Sequence, residues 1–80
     1  MYRDLPLEIQ ALPESFQCLY FDLPALVTRE ELYAKAPIYR PKTMANLDSK
    51  GIGPVGKLTV GSRVCYPKTA VVLWLAAQIK

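Results

Sequence analysis

The chain has 80 residues, room for one small domain and no more. Its hydrophobic fraction of 51% and mean hydropathy of +0.11 exclude a disordered polyelectrolyte, and no apolar run approaches the ~20 residues needed to span a bilayer. The net charge of +3 hides an asymmetry: residues 1–34 hold two arginines against six acids, net −4, and residues 35–80 hold eight lysines and arginines against Asp48 alone, net +7. A basic half on a small chain is the electrostatic footprint of a protein with a polyanionic partner. An ordinary solvated basic surface carries the same charge, so the pattern of elements must decide between them.

There is no histidine, so neither a Ser-His nor a Cys-His pair can form, and no phosphate-cradling glycine motif is present. Two cysteines alone cannot build an ordinary zinc site, and Cys18 and Cys65 are read as reduced, buried thiols. The opening MYRDLPLEIQ carries Arg3, Asp4 and Glu8 without a continuous apolar stretch, unlike a secretory signal, so a cytoplasmic protein is expected. The chain is read as a non-enzyme without a cofactor.

Leu5, Ile9 and Leu12 recur near helical spacing, and Pro6 and Pro13 bracket the segment, which predicts a short helix over 6–12. Phe16 to Phe21 is short and aromatic-rich, and reads as a strand or an extended arm packed on the core. Thr28-Arg29-Glu30-Glu31 is a capping box, so a helix follows that buries Leu32 and Ala36 and ends by Pro37. Glu30 and Glu31 suit the dipole of its first turn and are not a catalytic carboxylate pair.

Pro41 fits the first position of a second helix over about 41–50, stopped by Gly51. Met44 and Leu47 share its inner face, leaving Lys42, Ala45, Asn46 and Ser49 opposite, with Lys50 on the flank. After a loop containing Gly51, Gly53, Pro54 and Gly56, two β-prone runs flank Gly61-Ser62 and predict a type II′ hairpin. Alternation places Leu58, Val60, Val64 and Tyr66 on the inner face and Lys57, Thr59, Arg63 and Cys65 on the outer one. Residues 67–80 read as a closing helix, apolar around its circumference from Ala70 to Ala77 and therefore buried on more than one side. Tyr66 and Trp74 are expected in the core.

This order of elements predicts an α+β fold, a small winged helix-turn-helix with a two-stranded wing. Residues 26–80 form that domain, and residues 1–25 are a short extension that packs on the core or serves as an interaction segment. Leu26-Val27-Thr28-Arg29-Glu30-Glu31-Leu32, Thr43-Met44, Gly51 with Pro54, Lys57 to Tyr66, and Trp74-Leu75 sharpen the comparison. On these residues the stretch from Leu26 to Ala77 resembles the phage excisionase and prophage-regulator family of small MerR-like winged-helix proteins. Leu47 stands where that family carries an aromatic residue, Arg40 where a Ser or Thr cap is common, and residues 1–25 have no counterpart.

The resemblance implies a recombination directionality factor that binds and bends double-stranded DNA near an attachment site and assists an integrase or recombinase. The same binding at a promoter implies transcriptional regulation of a prophage. In such domains the second helix enters the major groove, where Asn pairs with adenine and Lys reaches guanine or phosphate. The expected base-reading surface is therefore Lys42, Asn46, Ser49 and Lys50, with Thr43 and Arg40 as phosphate contacts. Arg63 at the wing tip suits a narrow minor groove and Lys57 lies at the wing base. A module this small makes few base contacts, so self-association on DNA is expected. The alternative is a winged-helix interaction module that binds a repressor or integrase without touching DNA.

Overall fold

The computed structural model describes residues 5–79, and its elements follow from local chemistry joined to one apolar core. Helix α1 (Leu7–Gln10) begins where the Pro6 carbonyl accepts the amides of Ile9 and Gln10, both at 3.0 Å. Ile9 is fully buried beneath it. The next segment corrects the sequence reading. Residues 16–21, expected as a strand or an extended arm, lie inside helix α2 (Glu14–Asp22). Pro13 sets the entry, Glu14 favours the first turn, and Phe16, Leu19, Tyr20 and Leu23 recur at the three-, four- and seven-residue spacing of one helix face. Aromatic β-propensity yields to that period once the face has something to pack on. Cys18 points away from it and is exposed, whereas Cys65 is buried, so only one thiol matches the expectation; both are free.

Strand β1 (Leu26–Thr28) leads directly into helix α3 (Arg29–Lys35) through the capping box. The Glu31 amide donates to Thr28 Oγ1 at 3.1 Å and the Thr28 amide donates to Glu31 Oε1 at 3.0 Å. Helix α4 (Pro41–Ser49) starts with Pro41 in its first turn, and past its end Gly51 adopts φ 75°, which a β-carbon would oppose. Strands β2 (Leu58–Val60) and β3 (Arg63–Pro67) form the predicted hairpin, with Gly61 at φ 63° in the first central position. Helix α5 (Lys68–Ala76) closes the fold.

The sheet is antiparallel in the order β1-β3-β2. Its register corrects the predicted faces of the hairpin. A two-residue turn makes Val60 and Arg63 direct partners, and partners share a face. Leu58 and Val60 therefore stand with Arg63 and Cys65, while Thr59 pairs with Val64 on the side that carries Tyr66 and Val27. Leu58 and Val60 remain 46% and 55% exposed, and the inner face is supplied by Val27, Val64 and Tyr66 instead.

Helix α5 packs against α1 and α2 and also against strands β1 and β3. Contact with helices and strands alike is why its sequence is apolar all round: Val71, Val72 and Leu75 are buried, and Leu73 and Trp74 pack at the margin. Leu5, Ile9 and Leu23 join Val27, Leu32, Met44 and Tyr66 in the same core, so residues before β1 help build it. Among the described residues, no helix is long and apolar enough to cross a membrane.

Candidate nucleic-acid interface

Helix α4 carries most of the sequence-predicted site. At about 100° per residue, Lys42, Thr43, Asn46, Ser49 and Lys50 fall within an arc of about 120°, and all five are exposed. Met44 and Leu47 point the other way, into the core and its margin. The helix's one carboxylate, Asp48, is turned under with them and is only 7% exposed. The outward arc is thus left with lysine, amide and hydroxyl groups and no acid. Ser49 Oγ donates to the Ala45 carbonyl at 3.1 Å, so what the hydroxyl has left to offer a partner is acceptor capacity. Arg40 sits exposed at the N-cap, in extended backbone, without a side-chain cap bond of its own.

The hairpin residues divide. Arg63 is exposed and lines a cleft of about 270 Å³ with Arg29, Glu30, Ser62 and Val64. Its guanidinium lies 3.9 Å from Glu30, with the two side chains 69% and 67% exposed, so solvent screens the pair heavily. Lys57 instead lines a cleft of about 220 Å³ with Asp48 and the loop from Gly51 to Gly56. By strand alternation Lys57 belongs with Thr59, on the opposite face from Arg63. The two cations expected to share the outer face of the hairpin are therefore not brought together.

Sequence reasoning missed a polar network beneath α4. Arg29 Nη2 donates to Asp48 Oδ2 at 2.7 Å, Arg29 Nε donates to the Tyr66 hydroxyl at 3.0 Å, and the Tyr66 hydroxyl donates to the same Asp48 oxygen. Burial, helped by the Asp48 carboxylate, pushes the Tyr66 phenol up to about 12. Burial works to lower the Arg29 pKa, but its bonds to Asp48 and Tyr66 outweigh that and raise it. One clue lay in the sequence: Asp48 is the sole acid of the basic half, at a helix position pointing inward. Its partners, 19 and 18 residues away, could not be read from spacing.

The loop after α4 is fastened too. Trp74 Nε1 donates to the Ile52 carbonyl at 2.9 Å, and the Trp74 ring packs on Tyr39 with centroids 5.2 Å apart. The Ile52 amide donates to the Leu47 carbonyl at 3.1 Å. A rigid mount of this kind suits a helix whose outward side chains must meet a partner in fixed register. No family model, curated protein or solved structure matches this chain, so the reading of the site rests on its own geometry.

Proposed function

We propose that the chain is a sequence-specific DNA-binding protein of winged helix-turn-helix design. Helix α4 acts as the recognition helix and the β2–β3 hairpin as the wing. The observation that carries the reading is the outward arc of α4: two lysines, an asparagine and two hydroxyls, all exposed, with the one carboxylate of the helix turned into the protein. Such an arc fits a major groove, where Asn46 pairs with adenine and Lys42 or Lys50 reaches guanine or phosphate. Arg40 and Thr43 would hold the backbone at the helix entrance, and Arg63 would enter the adjacent minor groove. Lys57 contributes charge from the hairpin base.

The order of elements and the resemblance to excisionases support a role as a recombination directionality factor. The chain would bend DNA beside an attachment site, assist an integrase or recombinase, and act at prophage promoters through the same contacts. No catalytic step is assigned to it. Exposed Leu58 and Val60 on the hairpin favour a second reading, in which the same scaffold binds a protein.

A mobility-shift titration separates the two readings, using duplex DNA from around the chain's own gene with random DNA as competitor, at several salt concentrations. Five cations at the site predict a slope of log affinity against log salt of up to about −4.5. Replacing Lys42, Asn46 and Arg63 together by Ala is expected to abolish the competitor-resistant shift while circular dichroism stays native. Binding that ignores salt and survives the triple substitution would refute the proposal, and absence of any shift by the folded protein would turn the search to a protein partner.

A further inference from the structure

We propose that the Tyr66 hydroxyl is a positioning group for DNA recognition, holding α4 in the rotation that turns its polar arc outward. The inference deepens the DNA-binding reading and rests on it. On the helix wheel Asp48 lies about 200° from the middle of the arc formed by Lys42, Thr43, Asn46, Ser49 and Lys50. A tether at Asp48 therefore acts on the back of the helix, directly behind the face offered to a partner.

Apolar packing and directional bonds set the helix rotation from that side. Met44, fully buried, and Leu47 at the core margin hold the middle of α4 by packing. An apolar contact is non-directional and tolerates a turn of the helix about its axis. Asp48, in the last turn, is held by directional bonds from Arg29 at the start of α3 and from Tyr66 on the central strand. The Tyr66 ring is fully buried, so its oxygen is placed by the sheet and cannot follow the helix. Arg29 is 20% exposed on a flexible stem and can follow it. Of the two donors, the tyrosine is the one with a fixed origin. Gly53 completes the clamp: a β-carbon there would lie 2.1 Å from Asp48 Oδ1, so the loop backbone closes over the carboxylate.

The test compares wild type, Tyr66→Phe and Lys42→Ala for duplex affinity at several salt concentrations, at a temperature where circular dichroism shows each fully folded. Tyr66→Phe keeps the ring and removes only the donor. The expected result is a loss of affinity of about tenfold, the scale of one charge-assisted hydrogen bond, with an unchanged salt slope. Lys42→Ala, by contrast, should reduce the slope by about one. Amide exchange in the unbound Tyr66→Phe protein should quicken in α4 while β3 and α5 keep their protection. If Tyr66→Phe does not fold, Asp48→Asn is measured in its place: it keeps a carbonyl to accept from Tyr66 and ends the Arg29 ion pair, so affinity within about twofold of wild type is expected, and a loss of about tenfold overturns the inference by assigning the tether to Arg29. Affinity within about twofold of wild type in folded Tyr66→Phe overturns the inference and leaves the DNA-binding reading standing. A slope reduced by about one also overturns it, since the network would then be losing a phosphate contact by Arg29. Wild type that binds no duplex overturns the DNA-binding reading, and this inference with it.

Discussion

Gly53→Ala is the most informative single change for the fold. The added β-carbon would sit 2.1 Å from Asp48 Oδ1 and 3.2 Å from Cγ of the same residue, a collision that must displace the carboxylate. Displacement breaks the bonds from Arg29 and Tyr66 and leaves a guanidinium that is only 20% exposed without its partner. Breaking a fully buried pair costs about 3–5 kcal/mol, and the partial exposure of Arg29 brings the expectation down to about 2–3 kcal/mol. A domain of this length has a total stability of about 4–12 kcal/mol, so the melting temperature should fall by about 10–20 °C. A double-mutant cycle isolates the cause. In an Asp48→Ala background there is no carboxylate to strike, and Gly53→Ala should then cost less than about 0.5 kcal/mol. Thermal or urea unfolding of the four proteins, followed by circular dichroism, gives the coupling. An equal cost of Gly53→Ala in both backgrounds would refute the steric reasoning and point to the backbone itself.

Three further outcomes are expected. Thr28→Ala removes the side-chain half of the capping box and should cost about 1 kcal/mol, read as a drop of about 4–8 °C in melting temperature; an unchanged melt would mean that β1 pairing alone sets the start of α3. The Tyr66 phenol is held at about 12, above its unfolded value, so as pH rises the unfolded chain loses that proton first. Its contribution to stability is intact below about pH 10 and is lost between about pH 10 and 12. Urea midpoints across that window should fall more steeply for wild type than for Tyr66→Phe, and parallel curves would contradict the assignment. Glu30→Gln removes the carboxylate 3.9 Å from Arg63 and should strengthen duplex binding about two- to threefold at low salt, since the pair is exposed and screened; weaker binding would show that Glu30 holds Arg63 in its working position.

What could be read from the chain itself was whatever depends on neighbours in sequence. The capping box, Pro41 in the first turn of α4, and the glycines past its end and at the hairpin tip each act within a few residues, and each appears where the spacing places it. The outward arc of α4 was legible for the same reason, because one helical period orders Lys42, Asn46, Ser49 and Lys50 around Met44. Tertiary structure decided the rest. Residues 16–21 became helical because their apolar spacing found α5 to pack on, a contact invisible to local propensity. The inward set of the hairpin changed because pairing across a two-residue turn, and not alternation along one strand, decides which residues share a face. The three-residue strand β1 exists because β3 offers it an edge, since a segment that short carries no period of its own. Asp48, which the sequence marks only as the one acid of residues 35–80, acquired its role when folding brought Arg29 and Tyr66 to it, because hydrogen bonds between distant residues are a property of the packed chain.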